Sequence, residues 1–258
     1  MLTISNLYLK RDSTVILSDI SLHIKQGELI AIVGPNGSGK SSFLRCLSGW
    51  VRPNKGVLQY QNKDLYSFTH SQRAETLAWL PQRPNILEDV QVIELIKAAR
   101  YRFQESRQRQ VEQARLALAK AKVSDLENRH WSTLSGGEAQ RVALAGLIAQ
   151  DATIWLMDEP ANHLDPLVQR HIYQTLTQEW LQGRTMLVVT HNLNLLLGSI
   201  PKAHHDSVRT MGLQQGRIAF ETRLSSPELA HHLQQLYNIP VQMIQAFDQP
   251  YLVFGHTQ

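Results

Sequence analysis

The sequence predicts an α/β fold built on a buried parallel sheet, and three observations predict it. Leu29-Ile30-Ala31-Ile32-Val33, Thr153-Ile154-Trp155-Leu156-Met157 and Leu187-Val188-Val189 are short apolar runs with the length and composition of strands covered on both faces. Each run gives way abruptly to a glycine loop, to Asp158-Glu159 or to Thr190-His191. A helical pattern fills the block from about 84 to 134, with Val92, Leu95 and Ile96 on one face and Val111, Ala114 and Leu118 on another.

In chain order, residues 1 to about 33 alternate apolar and polar positions (Leu2, Ile4, Leu7, then Ile20, Leu22, Ile24), the pattern of strands in a small sheet. Gly34-Pro35-Asn36-Gly37-Ser38-Gly39-Lys40-Ser41 follows the first apolar run, and Ser42-Phe43-Leu44-Arg45-Cys46-Leu47 reads as the opening of a helix. Strand, glycine loop and helix together make a phosphate cradle. The glycines admit positive φ, and the loop amides and helix N-terminus face one anion. Lys40 can reach the β and γ phosphates as a point charge, and the Ser41 hydroxyl can coordinate Mg2+. At the second strand end, Asp158 suits a metal ion and Glu159 suits proton abstraction from water. A charge at the carboxyl end of a buried parallel strand belongs in the ligand crevice.

Between these two sites lies Leu134-Ser135-Gly136-Gly137-Glu138, opening a helix that continues through Leu144. Its hydroxyl and first free amides form a second anion site. The ordered set of phosphate loop, LSGGE and Asp158-Glu159 resembles the ATP-binding cassette (ABC) family over nearly the whole chain. The resemblance is strongest to the ATPase subunits of iron-siderophore, haem and cobalamin importers. It implies a P-loop NTPase (RecA-like) core with an antiparallel β subdomain, an inserted helical subdomain at about 84–140 carrying the signature, and a C-terminal extension at about 223–258, all within one domain. It implies ATP and Mg2+ as ligands. Residue by residue, it makes Gly34 to Ser42 the phosphate site and Gln82 the glutamine-loop contact to metal and water. It makes Asp158 a metal ligand, Glu159 the general base, Asp165 of Asn162-His163-Leu164-Asp165 the D-loop acid, and His191 the switch histidine at the γ phosphate. Ser135, Gly136 and Gly137 would close on the nucleotide of a second copy stacked head to tail.

One family element is missing. The aromatic residue that usually stacks on adenine is absent, and its position falls near Arg11. Either the Arg11 guanidinium stacks on the base, or Lys10, Arg11 and Asp12 form a solvated turn.

The chain has 258 residues, 43% of them hydrophobic, which suits one large domain and excludes tandem cassettes. A single cysteine, Cys46, excludes a disulfide framework and fits a reducing cytoplasm. A net charge of +4 is only mildly basic. Arg100-Tyr101-Arg102-Phe103, with Arg107 and Arg109, reads as the exposed side of helices, so no nucleic-acid partner is expected. His204-His205-Asp206 and His231-His232 read as surface loops, since adjacent histidines point apart.

No apolar segment approaches bilayer length and no sustained heptad interrupts the chain. The resemblance then implies an ATPase subunit at the cytoplasmic face of the inner membrane. It would power import of a small metal chelate (cobalamin, siderophore or haem, with the first two preferred) through a separate permease served by a periplasmic binding protein. Leu233 to Val241 resembles the segment closing those importer subunits, with Asn238 where glycine is usual. The alternatives are another ABC importer, such as one for metal ions, and a non-transport ABC ATPase. The permease helix is expected in a groove near Gln82 and the following Arg83 to Val90.

Overall fold

Strand β3 (Leu29–Val33) has no exposed residue, and its side chains divide strictly by parity. Leu29, Ala31 and Val33 enter one hydrophobic core, whereas Ile30 and Ile32 enter another. The computed structural model describes residues 1–84, 86, 89–246 and 248–255.

Ahead of β3, strands β1 (Leu2–Arg11) and β2 (Thr14–Ile24) form an antiparallel pair, and the alternation read from the sequence places Leu2, Ile4, Leu7, Ile20, Leu22 and Ile24 inside. Helix α1 (Lys40–Ser48) follows the glycine loop. Strands β4 (Lys55–Tyr60) and β5 (Lys63–Asp64) complete a four-stranded sheet in the order β2-β1-β4-β5. Helix α2 (His70–Thr76), opened by a Thr69–Gln72 capping box, leads into β6 (Leu77–Leu80).

Helices α3 (Val92–Ala98) and α4 (Arg107–Lys120) occupy the block read as helical, and α5 (Gly136–Gln150) returns the chain to the core. Arg100 corrects the sequence expectation of an exposed basic face. It is buried, ion-paired with Glu105, and donates to Ala149 O at 2.8 Å. Arg102 donates to the carbonyls of Gln150 and Asp151. The two guanidinium groups thus satisfy carbonyls that the end of α5 leaves without intrahelical partners.

Strand β7 (Ile154–Asp158), helix α6 (Pro166–Leu181), strand β8 (Thr185–Val189), helix α7 (Leu193–Ser199) and strand β9 (Val208–Gln214) alternate to finish the parallel sheet. The antiparallel edge strand β10 (Arg217–Arg223) gives the order β10-β9-β3-β8-β7-β6. His205, expected on a surface loop, is instead buried and bonded to Ile200 O, while His204 sits edge-on to Trp180. His232 stacks on Phe220. His205 and His232 are thus packing residues, whereas His204 and His231 are exposed, as expected. Helix α8 (Leu229–Tyr237) and the hairpin of β11 (Val241–Ala246) and β12 (Gln249–Phe254) close the described chain.

Cys46 lies on α1 with no exposure, and burial pushes its thiol up to about 11. The β9–β10 turn has positive φ at Gln215 and Gly216, the two-residue geometry that matches strand twist. Gly216 N donates to Ser38 O at 3.0 Å and Gly216 O accepts from Ser18 N at 2.8 Å, so this turn ties the phosphate loop to β2. A Cβ at Gly216 would stand 2.3 Å from Ile16 O. Gly216→Ala should therefore destabilise the protein by roughly 1–3 kcal/mol in urea unfolding. Gly198→Ala, where a Cβ meets open space within α7, should be neutral or stabilising.

Candidate functional site

The carboxyl ends of β3, β7, β8 and β6 open onto one cleft of about 810 Å³. It is lined by the residues from Pro35 to Ser42, by Gln82, Glu159 and His191, and also by Ile16, Asn162, His163 and Tyr237. Gly39 caps α1 with φ 103°, and a Cβ there would crowd Leu17 and Ile16 O at under 3 Å, so glycine is required. Among the described residues no side chain caps α1. Its first amides stay available to an anion. Lys40, 6% exposed, donates through Nζ to Gly34 O at 2.7 Å and Pro35 O at 2.9 Å. Burial lowers its pKa, and the charges of Glu159 and Asp158 oppose that shift.

Asp158 is 4% exposed at the end of β7, and the Ser41 hydroxyl favours its ionised form. Its pKa is raised, first by burial and also by the charge on Glu159, with Arg45 and Lys40 opposing. Among the described residues its Oδ1 has no hydrogen-bond partner. A buried orphan carboxylate oxygen beside a serine hydroxyl fits a hard cation such as Mg2+.

Glu159 is the meeting point of the cleft. Its backbone adopts φ 51° and its N donates to Val189 O at 3.0 Å, which turns the side chain out of the strand. Oε2 accepts from Gln82 Nε2 at 2.8 Å and from Asn162 Nδ2. Oε1 lies 2.6 Å from His191 Nε2. Behind it, the fully buried Tyr173 hydroxyl is 2.8 Å from Thr190 Oγ1, which also accepts from Asn192 N and so shapes the loop carrying His191.

Three predicted site groups stand outside this cleft. Ser135 and Glu138 form a capping box on α5: Glu138 Oε2 accepts from Ser135 N and Oγ, each at 2.8 Å, and Ser135 Oγ accepts from Glu138 N. The hydroxyl expected to face an anion is therefore engaged within its own helix. Among the described residues nothing lies within 4 Å of a Cβ placed at Gly136. Asp165 caps α6 by accepting from Leu167 N and Val168 N, with Pro166 at the first helical position. Arg11 is exposed beside the β1–β2 turn and does not line the cleft; Ile16 is the hairpin residue that does.

Asn162, His163, Ile16 and Tyr237 were not singled out as cleft residues from sequence. The first two fall in the predicted D-loop, so a signal was present. Ile16 and Tyr237 reach the cleft only through tertiary packing.

A phosphate loop on a parallel sheet, with an acid pair at the end of the strand two places along, defines a nucleotide-hydrolysing α/β protein. The chain belongs to the ABC transporter family, which it matches over residues 17–162. It is an ATP-binding cassette and an ATPase. It is 39% identical to the hemin import ATP-binding protein HmuV of Pseudomonas entomophila over 76% of this chain and 78% of that protein. It is 35% identical to HmuV of Pseudomonas putida over 95% of both, and 29% identical to the petrobactin import ATP-binding protein FpuC of Bacillus anthracis over 97% and 92%. Among solved structures, a dimeric bacterial ABC transporter cassette superposes with a TM-score of 0.78 at 25% identity, covering 88% of this chain and all of that one. A metal-chelate type ABC transporter in an inward-facing conformation shares the fold with a TM-score of 0.79 at 22% identity, over 99% and 97%.

Because folding raises the Asp158 pKa, its stabilising contribution is present at low pH and is lost as pH rises from the ordinary carboxylate range through the raised value. Asp158→Asn should then raise the melting temperature of the nucleotide-free protein at pH 7. The gain should shrink as pH falls to the ordinary carboxylate range. Melting curves at pH 7 and pH 4 check both. In nucleotide titrations, Ile16→Ala should weaken binding several-fold, whereas Arg11→Ala should stay within about twofold of the parent.

Proposed function

We propose that two copies of this chain close head to tail around ATP and power the import of a small metal chelate, haem foremost, through a separate membrane permease. The convergence of Gln82, Asn162 and His191 on the Glu159 carboxylate carries the mechanistic reading. These groups come from the ends of β6, β7 and β8, so one carboxylate gathers three otherwise separate segments. Glu159 would accept a proton from the attacking water, with Gln82 and His191 orienting the carboxylate and the water. Lys40 and the amides of residues 36–42 would bind the phosphates. Ser41, Asp158 and Gln82 would hold Mg2+, which supplies charge neutralisation to the phosphate oxygens when bound.

Gly136 and Gly137 would meet the nucleotide of the opposite copy, with Ser135 and Asp165 at the seam. The dimeric cassette of like fold supports this arrangement. Closure driven by ATP and released by hydrolysis turns differential affinity into movement.

The permease would dock in a groove of about 930 Å³ between α1 and the end of α3, lined by Trp50, His70, Arg73, Trp79, Pro81 and Tyr101 among others. Trp50 is 83% exposed and stacks on Trp79. Exposed aromatic anchors of this kind favour protein partners. The groove adjoins the Gln82 strand end, near which the permease helix is expected; of the expected segment Arg83 to Val90, Asn85, Leu87 and Glu88 lie outside the described residues. Among the described residues no helix is long and apolar enough to cross a membrane, which fits a peripheral subunit at the cytoplasmic face. A periplasmic binding protein would select the cargo. The relatives move the preference towards haem, because import of hemin is what the names of the two Pseudomonas proteins state and import of petrobactin, a second choice, is what the Bacillus name states.

Glu159→Gln should retain ATP binding while hydrolysis falls roughly a hundredfold or more. On a sizing column with ATP, this variant should elute as a dimer. Normal turnover would remove Glu159 from the mechanism. Co-reconstituted with its membrane permease, the parent should drive ATP-dependent uptake of haem in preference to a ferric siderophore or cobalamin.

A further inference from the structure

The C-terminal segment grips the cleft from a side that none of the nucleotide motifs supplies. Tyr237, the last residue of α8, lines the cleft, and its hydroxyl accepts a hydrogen bond from Gly34 N at 3.1 Å. Gly34 is the first residue of the phosphate loop, and its carbonyl is one of the two that hold Lys40 Nζ. Tyr237 and Lys40 therefore line the same cleft and bond the same loop residue.

The hydroxyl is held there by a strap anchored on α7, the helix that follows β8. Asn238 caps α8 in the left-handed conformation at φ 54°, the usual place of glycine, and so turns the chain into β11. The returning β12 is clasped by α7: Asn194 Oδ1 accepts from Leu252 N at 2.7 Å and Asn194 Nδ2 donates to Leu252 O at 2.9 Å. Phe254 of β12 packs edge-on against the Tyr237 ring, and Gly255 N donates to Pro240 O at 2.8 Å. Asn194 lies three residues beyond His191. One continuous segment thus touches the start of the phosphate loop and the helix that follows the switch histidine.

Tyr237 spends one lone pair on Gly34, and among the described residues no group accepts its own proton. Burial pushes its pKa up, with the Gly34 hydrogen bond opposing, so the phenol stays protonated at neutral pH. A protonated hydroxyl in a phosphate cleft is a donor awaiting an anionic oxygen.

We propose that Tyr237 is a nucleotide-recognition residue that discriminates ATP from ADP, fixing Gly34 with its oxygen and donating its proton at the terminal-phosphate end of the cleft, and that the Asn194–Leu252 clasp seats it there. The proposal rests on the ATPase reading of the cleft.

The test is calorimetric titration of the full chain with ADP and with a non-hydrolysable ATP analogue, each with Mg2+. Binding of the analogue by the parent tests the nucleotide site itself, and the ratio of the two affinities tests Tyr237. Tyr237→Phe keeps the ring and its packing, so it should weaken the analogue about tenfold while ADP changes by no more than about twofold. An equal loss for both nucleotides, which general loosening would cause, overturns the proposal, as does no loss for either. Asn194→Ala should shift the ratio in the same direction by a smaller factor. The double variant should shift it no further than Tyr237→Phe alone, and additive shifts would overturn the clasp.

Discussion

Everything in this molecule follows from a parallel sheet buried on both faces. Strands β3, β7 and β8 have no side chain facing solvent, so polar residues are tolerated only where a strand runs out. All the parallel strands run out on one side. The phosphate loop, Asp158-Glu159 and Thr190-His191 are consequently neighbours although they are far apart in the chain. The two cores that flank the sheet fix these ends in space: Trp155 and Met157 of β7 face one core, Ile154 and Leu156 the other.

Within that frame the charges balance one another closely. Burial alone disfavours the ionised forms of both Lys40 and Asp158, and each is opposed by the other's charge. The arrangement is costly without a ligand and is offset when phosphate and cation arrive. Glu159, with its left-handed backbone, is turned instead towards Gln82, Asn162 and His191. One residue along the chain separates a buried orphan acceptor from a fully engaged one.

The sequence made the sheet and phosphate loop easy to read, because apolar runs ending in glycine or acid have few other interpretations. Lys40, Ser41, Gln82, Glu159 and His191 were recognisable from such ends, and the structure gathers them round one cleft. The harder residues were those whose meaning depends on distant partners. Arg100 reads as exposed in a basic run, yet the carbonyl of Ala149 and the carboxylate of Glu105 draw it inside. Ser135 and Glu138 carry the capping-box spacing in plain view, although an anion site competes for the same hydroxyl. Tyr237 meets Gly34 across more than 200 residues, a proximity that no local pattern encodes.

Cys46 has a consequence of a practical kind. It is the one cysteine of the chain, sealed beneath the phosphate loop with its thiol raised to about 11, so almost none of it is thiolate at physiological pH. Oxidants and alkylating agents act on the thiolate, and here they find neither the charge nor the access. A cysteine introduced on the surface would accordingly be the sole reactive thiol of the folded protein. The native chain is already a silent background for attaching spectroscopic labels, with no need to remove its own sulfur.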